Sequence, residues 1–260
     1  NEQMEEDLRM AREIQQAIIP QQYPCFPVHA TEQDNRLVFG HRYLPTGAVG
    51  GDFFYIRPLS EAQVGVFICD VMGHGVRSAL VTAILRALVE ELTPESDDAG
   101  ELLAQINRDL RSILKQSGTP LFTTAFYMIV DVTTGRAQYA NAGHPKPMII
   151  HGATGKAEPL QNLNQRSNPA LGLFDSFRYS TSTIDLHAND RLIFYTDGVY
   201  DVEADGDMLS PDWLLKEMEA RAGLSMSDSF DEVLEELRRI SGGVFCDDLC
   251  LVGMEVKARL

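Results

Sequence analysis

Apolar residues along the 260-residue chain follow two different periods, and the changes between these periods divide the chain into elements. Residues 2–19 carry apolar side chains at helical spacing on an otherwise charged segment, which Pro20 terminates. From Leu37 onward, β-branched and aromatic runs separated by turns predict strands. Two pairs of helix-like segments interrupt these runs. The predicted order is one helix, strands, two helices, strands, two helices and a last strand.

Short turns link most of the predicted strands, and Thr133-Thr134-Gly135 is one example that is typical of a hairpin. The sheets should therefore be mostly antiparallel. So many strands with two helical pairs are best accommodated by an α+β fold, a four-layer αββα sandwich. The predicted strands are 37–44, 52–59, 63–71, 122–132, 136–142, 147–151, 178–186, 191–196 and 248–256. The predicted helices are 2–19, 78–92, 98–115, 211–222 and 227–240, and residues 152–177 are predicted to form a loop.

The N-terminal helix has a narrow apolar stripe that Gln15 interrupts. Two interpretations of this stripe stay open: a helix packed on its own domain, or the end of a coiled coil that joins a partner or an upstream sensor. We expect residues 1–24 to form a linker helix and residues 25–260 to form one domain. The chain begins at Asn1, so we also expect an upstream region, and whether it carries a membrane anchor stays open. The residues of the stripe are Met4, Leu8, Ala11, Ile14 and Ile18.

Composition and charge exclude several function classes. A formal net charge of -16 argues against binding a nucleic-acid backbone and against direct docking on an anionic membrane. The sequence has no apolar run near the roughly 18 residues that span a bilayer. The four cysteines contain no C-x-x-C pair, which favours free thiols in a reducing cytoplasm over disulfides.

Four aspartate-bearing turns border apolar runs, at Asp52, Asp70, Asp197 and the pair 247–248. An ionised carboxylate at the end of a buried strand is costly unless a partner neutralises it. Carboxylates are hard ligands that select Mg²⁺, Mn²⁺ or Ca²⁺. Four of them with a backbone carbonyl suit two metals, and this arrangement is typical of metal-assisted phosphoester hydrolysis. Each aspartate alone is also an ordinary turn residue, and the spacing does not show that the four meet.

Five short motifs follow one another along the chain: Gly50-Gly51-Asp52-Phe53, Asp70-Val71-Met72-Gly73-His74-Gly75, Asn141-Ala142-Gly143-His144-Pro145, Thr196-Asp197-Gly198-Val199 and Asp247-Asp248. Together, over residues 36–256, they resemble the SpoIIE-type branch of the PPM (PP2C-like) protein serine/threonine phosphatases. Residues 11–16, followed by Pro20, are similar to the linker helix that precedes such domains in bacterial stress-response phosphatases.

The resemblance implies a metal centre with two Mn²⁺ or Mg²⁺ ions. Asp70 would bridge the two ions, and Asp52 with the carbonyl of Val71 would complete the second site. Asp197 and Asp247 would bind the first ion. A bridging hydroxide would then attack phosphoserine or phosphothreonine directly. The motif residues expected to support these ligands without binding metal are Asp248 and Gly198.

The chain departs from the eukaryotic members of the family at two positions. Those enzymes have a histidine two residues after the bridging aspartate, where this chain has Met72, and His74 lies two residues further on. They also hold the phosphate with an arginine near the N-terminus. Arg42 is the nearest candidate by position, but no motif supports that role. We interpret His74 as a residue that shapes the loop and His144 as structural, and a role for either in the reaction stays open.

The resemblance also implies partners. The expected substrate is a phosphorylated small regulatory protein, such as an anti-sigma factor antagonist of the STAS type. We expect a homodimer formed through the helix of residues 2–19, and regulation of the metal site through that helix. Two alternatives stay open: a catalytically silent signalling adaptor with this fold, and a hydrolase of a small phosphoester.

Overall fold

The computed structural model describes residues 2–73, 75–115, 121–163, 166–204 and 206–257. The side chains of residues 2–4, including Met4, and that of Glu95 lie outside this description, as does residue His74. The helices are α1 (Glu2–Ile18), α2 (Val76–Leu92), α3 (Ala99–Leu114), α4 (Pro211–Ala220) and α5 (Met226–Ser241). The strands are β1 (Leu37–Leu44), β2 (Asp52–Pro58), β3 (Gln63–Val71), β4 (Thr123–Asp131), β5 (Arg136–Ala142), β6 (Met148–Ile150), β7 (Ala157–Pro159), β8 (Ser182–Asp185), β9 (Arg191–Tyr195), β10 (Glu203–Ala204), β11 (Asp207–Met208) and β12 (Leu249–Val256).

Ten of these strands form two five-stranded sheets. Sheet I has the order β1-β12-β9-β6-β7, and sheet II has the order β2-β3-β4-β5-β8. Within the described residues, all neighbouring strands of both sheets pair antiparallel. The short strands β10 and β11 form a separate hairpin. The antiparallel pairing predicted from the hairpin turns is confirmed.

Three apolar layers hold the helices and sheets together. The central layer lies between the two sheets, where Phe54, Phe126 and Phe194 are almost completely buried. A second layer packs sheet II against α2 and α3, and a third packs sheet I against α4 and α5. The order of layers is therefore helices, sheet II, sheet I, helices. This arrangement confirms the predicted four-layer αββα fold of the α+β class.

The helix boundaries follow from local capping chemistry. The side chain of Asp98 accepts a hydrogen bond from the backbone N–H of Glu101 at 2.8 Å, and this bond starts α3. Ser225 caps α5 in the same way through the N–H of Asp228 at 3.1 Å. Gly242 ends α5 with a φ of 64°, a left-handed conformation that glycine adopts without strain.

Two parts of the secondary-structure prediction were wrong. The predicted loop at 152–177 contains β7, which pairs with β6 at the edge of sheet I. A strand of three residues is too short for its period to be seen in the sequence. The predicted strand at 178–186 shortens to β8, and Tyr179 packs instead in the layer beside α2 and α3.

The N-terminal helix joins the rest of the chain through its C-terminal end. Helix α1 ends at Ile18, and the next residue, Ile19, is buried in the central layer together with Phe26. The division of the chain at residue 24 stays a prediction. None of the helices in the described ranges has the length and apolarity that a membrane crossing needs.

Candidate metal centre

Two of the four predicted aspartates lie opposite each other in sheet II. Asp52 is the first residue of β2, and Asp70 lies one residue before the end of β3. Because β2 and β3 run antiparallel, the start of one strand meets the end of the other, and Asp52 pairs with Asp70 in register. Directly opposite residues on one pair of strands have Cβ atoms roughly 4.5–5.5 Å apart. The fold therefore brings these two carboxylates together.

The other two aspartates lie at adjacent strand ends of sheet I. Asp197 follows β9 in a short 3₁₀ turn, and Asp247 lies two residues before β12. Strands β9 and β12 pair antiparallel, with Tyr195 opposite Leu251. Gly198 packs so tightly on the 247–248 backbone that a Cβ at this position would overlap the carbonyl oxygen of Asp248. A glycine at 198 thus allows the two aspartate-bearing turns to approach each other.

A buried threonine links the two pairs of aspartates across the sandwich. Thr196 is completely buried, and its hydroxyl group donates a hydrogen bond of 2.6 Å to Oδ2 of Asp52. The hydroxyl oxygen of Thr196 also accepts a hydrogen bond of 3.0 Å from the backbone N–H of Cys250. Thr196 therefore connects β9 and β12 of sheet I to the first residue of β2 in sheet II.

The carboxylate of Asp248 holds the loop between β1 and β2. Its Oδ1 accepts from the backbone N–H of Thr46 at 2.8 Å and from the Thr46 hydroxyl at 3.1 Å. Its Oδ2 accepts from the N–H of Gly51 at 2.7 Å. These three bonds occupy the buried carboxylate with protein donors. That Asp248 supports the ligands without binding metal stays a prediction.

Val71 lies next to Gly51 at the end of β3. Its N–H donates to the carbonyl oxygen of Gly51 at 3.1 Å. Its own carbonyl oxygen would lie 2.7 Å from a Cβ placed on Gly51. The absence of a side chain at 51 therefore allows the Val71 carbonyl to lie beside the residue that precedes Asp52.

Burial and neighbouring carboxylates raise the pKa values of Asp52, Asp70 and Asp197. Burial raises the pKa of Asp52 well above its usual range, and the charge of Asp70 adds to the rise. Burial also raises the pKa of Asp70 to about 7, and the charges of Asp197 and Asp247 are the next causes. The pKa of Asp197 is raised by burial and then by Asp247. The four aspartates thus share one electrostatic environment. Among the described residues, no lysine or arginine contributes to these three shifts.

The carboxylate oxygens of the four aspartates are donors that suit hard divalent cations. Carboxylates whose pKa values rise through burial and then through mutual repulsion gain stabilisation from a bound cation, and oxygen-only donors suit Mg²⁺ and Mn²⁺. The side-chain positions themselves do not enclose an ion: across the described ranges, no group of three or more His, Cys, Asp or Glu side chains forms a ready-made metal cluster.

Arg42, to which the sequence analysis assigned no role at the metal site, contacts helix α5. Arg42 forms a bidentate ion pair with Asp231 on α5, with both N···O distances at 2.7 Å. It also donates to the hydroxyl of Ser227 at 2.8 Å. The guanidinium group is therefore occupied on the α5 side of sheet I, which agrees with leaving the phosphate-binding role unassigned. His74 falls outside the described residues.

His144 is buried in a turn that its own motif stabilises. The amide of Asn141 donates to the carbonyl oxygen of His144 at 2.9 Å, and the N–H of His144 donates back to Asn141 Oδ1 at 2.8 Å. Its Nδ1 lies 2.9 Å from the hydroxyl of Thr124. Burial lowers the pKa of His144 to about 3, so the ring is neutral near pH 7. These contacts agree with a structural role, which stays a prediction.

A cavity of about 340 Å³ opens beside the carboxylates. Asp197 forms part of its wall, together with Tyr200, Asn141, His144 and Lys146. A larger depression of about 780 Å³ lies at residues 27–38, by the opposite ends of the strands. The smaller cavity is the one that shares a residue with the carboxylate cluster.

Two residues of the centre were missed in the sequence analysis. Thr196 stands inside the quoted Thr-Asp-Gly motif, and its position before the aspartate was the available signal. Gln15 belongs to α1, yet it is buried, with only 7 % of its surface exposed. Its amide forms two hydrogen bonds with the backbone of Gly50. The only sign of this contact in the sequence was a polar residue inside an apolar stripe.

Comparison with known proteins identifies a family and relatives to which this chain is similar. The family model described as Stage II sporulation protein E (SpoIIE) matches residues 60–257. The phosphoserine phosphatase RsbP of Bacillus subtilis (strain 168) is 30 % identical over 163 residues, which cover 62 % of this chain and 39 % of RsbP. RsbU of the same organism, also named a phosphoserine phosphatase, is 21 % identical over 256 residues, or 98 % of this chain and 72 % of RsbU. The chain thus spans less than half the length of RsbP.

Solved structures share the fold. The SiaA-PP2C domain of Pseudomonas aeruginosa superposes with a TM-score of 0.82 at 21 % identity, covering 98 % of this chain and 97 % of that domain. The catalytic domain of the serine/threonine protein phosphatase PstP, in complex with two manganese ions, gives a TM-score of 0.62 at 15 % identity. It covers 85 % of this chain and 99 % of the PstP chain. With the family match over most of its length, the chain belongs to the SpoIIE family of PP2C-type phosphatase domains.

Proposed function

We propose that this chain is a metal-dependent protein serine/threonine phosphatase that hydrolyses phosphoserine or phosphothreonine on a small regulatory protein. The observation that carries the proposal is the buried carboxylate cluster, in which Asp52 faces Asp70 and the pKa of Asp70 rises to about 7. A cluster of this kind is destabilised while it is charged and empty, and divalent cations relieve that repulsion. The names of RsbP and RsbU, both phosphoserine phosphatases, support the reaction class.

The proposed metals are two Mn²⁺ or Mg²⁺ ions, as PstP holds two manganese ions. Bound there, the ions would lower the pKa of a water molecule and neutralise charge on the phosphate. Asp70 would contact both ions, because it faces Asp52 in register and its pKa is raised by burial and then by the charges of Asp197 and Asp247. Asp52 and the carbonyl of Val71 would hold one ion, and Asp197 with Asp247 would hold the other.

The other residues of the centre position these ligands. Thr196 orients Asp52 through its hydrogen bond of 2.6 Å. Asp248 holds Gly51, and Gly198 leaves room for the 247–248 backbone. The cavity beside Asp197 is large enough to receive one residue of a protein substrate next to the phosphoresidue. A STAS-type anti-sigma factor antagonist remains our proposed substrate by resemblance.

A direct test measures Mn²⁺- and Mg²⁺-dependent release of phosphate from a phosphoserine protein and from an aryl phosphate. Asp70→Asn should lower the rate by at least about a hundredfold, because it removes the ligand shared by both metals. Asp185→Asn is the matched control, since Asp185 is an exposed aspartate on β8. Its rate should equal that of the parent chain.

The outcomes separate the alternatives. Equal rates for the parent and for Asp70→Asn would refute the proposed metal chemistry. Metal binding without turnover on either substrate would identify a silent adaptor. Turnover of the aryl phosphate alone, with several phosphoproteins resistant, would favour a small phosphoester as the substrate.

We also propose that the chain forms a homodimer through α1 in the cytoplasm, and that α1 regulates the metal centre. The four cysteines are free, which supports a reducing compartment. Large apolar side chains remain exposed on α1, with Ile14 65 % and Met10 44 % exposed. Leu80 on the adjacent α2 is 62 % exposed. A second copy of the chain would cover these side chains.

A further inference from the structure

The cavity beside Asp197 has one positively charged side chain on its wall. Among the described residues that form this wall, Lys146 is the only lysine or arginine, and Asp197 is the only residue with a carboxylate. His144, the other basic residue of the wall, is neutral near pH 7 because burial lowers its pKa to about 3. The cavity therefore combines one cation with one ligand of the proposed metal centre.

Lys146 has a neutral partner instead of a carboxylate. Its Nζ donates a hydrogen bond of 2.9 Å to Oε1 of Gln161. In the described part of the chain, none of the ion pairs includes Lys146. An ammonium group has three N–H donors, so the bond to Gln161 leaves others for a ligand. In a chain of formal net charge -16, a lysine without an acidic partner beside a cavity favours an anion from outside the chain.

The backbone at Lys146 has a fixed position relative to Asp197. Pro145 and Pro147 flank the lysine, and each proline restricts the backbone of its own residue and of the residue before it. The carbonyl oxygen of Lys146 accepts a hydrogen bond of 2.7 Å from the hydroxyl of Tyr195. Tyr195 is the last residue of β9 and lies two positions before Asp197. The lysine is thus tied to the strand end that carries a proposed metal ligand.

The amide side chains of the wall already have partners within the protein. The side chain of Asn141 exchanges two hydrogen bonds with the backbone of His144. The Nδ2 of Asn168 donates to the carbonyl oxygen of Asn141 at 2.9 Å, and the Nδ2 of Asn162 donates to that of Arg166 at 3.0 Å. A charged donor also forms stronger hydrogen bonds to an anion than a neutral one does. The ammonium group of the lysine is therefore the group on this wall best suited to hold an anion.

We propose that Lys146 forms a subsite for an acidic side chain of the substrate protein, next to the phosphoserine or phosphothreonine. The inference rests on the proposed function, because it places the phosphoryl group at the metal centre. Among the described aspartates of that centre, only Asp197 borders the cavity. A residue in the cavity therefore lies beside the reacting phosphate, and Lys146 selects substrates by the charge of this neighbouring residue.

The test compares kcat/KM for phosphoserine peptides at saturating Mn²⁺. One set of peptides carries a single glutamate at each of the three positions on either side of the phosphoserine in turn, and a matched set carries glutamine. At the best position, the parent chain should prefer glutamate by at least about fivefold. The difference should lie in KM, because this contact binds the ground state and the transition state alike. It should shrink as the ionic strength rises.

Two variants and a control make the result specific to this lysine. Lys146→Met keeps much of the aliphatic side chain and removes the charge, so the preference should fall to within about twofold of equality. Lys146→Glu should reverse the preference and favour a lysine peptide over the glutamate peptide. Lys156→Met is the matched control and should keep the preference of the parent, since Lys156 is an exposed lysine between β6 and β7. The preference is a ratio within one variant, so a general loss of stability or activity cancels.

The outcomes separate this inference from the proposed function. Equal kcat/KM values for all peptides in the parent would overturn the inference alone. A glutamate preference that persists in Lys146→Met would also overturn it, because the metal ions would then attract the carboxylate. An equal loss on an aryl phosphate and on the glutamate peptide in Lys146→Met would refute the subsite, since an aryl phosphate has no neighbouring residue.

Two more results are decisive. Should Lys146→Met fail to fold, Lys146→Gln supplies the same comparison with a polar side chain at this position. Turnover of the aryl phosphate without turnover of any peptide would overturn the inference. A parent chain that hydrolyses neither peptides nor aryl phosphate with Mn²⁺ would overturn the proposed function and this inference together.

Discussion

The backbone at Gly51 has no space for a side chain, and this gives a sharp test of the metal centre. A Cβ at this position would lie 2.7 Å from the carbonyl oxygen of Val71 and 3.2 Å from that of Gly73. Ordinary contact begins near 3.4 Å, so Gly51→Ala must displace Val71 or the loop by about 0.7 Å. Val71 and Asp52, the residue that follows Gly51, both belong to the proposed second metal site.

The expected magnitudes follow from this displacement. Overpacking of this kind costs about 1–3 kcal/mol, while the reduced freedom of the unfolded chain returns about 0.4–1 kcal/mol. The free energy of unfolding of Gly51→Ala should therefore fall by up to about 2.6 kcal/mol. The effect on the site is larger, because ligand geometry must hold within about 0.5 Å. Mn²⁺ affinity should fall at least about tenfold, and phosphate release at limiting metal should fall with it.

The assay combines urea denaturation, calorimetric Mn²⁺ binding and phosphate release. Gly223→Ala is the matched control, since Gly223 lies in the turn between α4 and α5 with no atom within 4 Å of an added Cβ. Its unfolding free energy should stay within about 0.5 kcal/mol of the parent value, with Mn²⁺ affinity unchanged. Parental Mn²⁺ affinity in Gly51→Ala would show that this backbone contact does not form part of the metal centre.

Two other predictions concern the charge of the centre and the surface of α1. The raised pKa of Asp70, about 7, means that the folded metal-free chain binds a proton more tightly than the unfolded chain does. In EDTA, the unfolding free energy should thus increase as the pH falls from 8 to 6, and Asp70→Asn should flatten this slope; a slope of opposite sign would contradict it. For the dimer, Ile14→Glu on exposed α1 should convert the parent dimer to a monomer in light scattering without loss of stability. The matched control Ile113→Glu, at a 50 % exposed position on α3, should stay dimeric, and a dimeric Ile14→Glu would refute the α1 interface.

Most of the fold was predictable because it rests on local patterns. The strands at 37–44 and 136–142 coincide with β1 and β5, since alternating apolar residues between turn residues mark a strand without reference to the rest of the chain. The elements that were missed have no such period. Strand β7 has three residues, and only its pairing with β6 defines it.

The candidate site was partly predictable. The aspartates stood in short motifs beside apolar runs, so their residue types and their strand-end positions were visible in the sequence. The roles of Gln15 and Thr196 were not, because each acts on a residue more than 30 positions away. A polar side chain in the sequence does not show which distant backbone or carboxylate it will meet.

By itself, the sequence determined the layers of the sandwich, the free cysteines, the acidic charge and the four aspartates expected to share a cation. The tertiary structure decided that Asp52 lies in register with Asp70, and that Thr196 joins the two sheets at that point. It also decided that a polar residue in an apolar helix stripe holds the loop before Asp52. The physical reason is that periodicity depends on neighbours along the chain, whereas register and contacts between sheets depend on how whole elements pack. Burial and mutual repulsion of the carboxylates arise only from that packing.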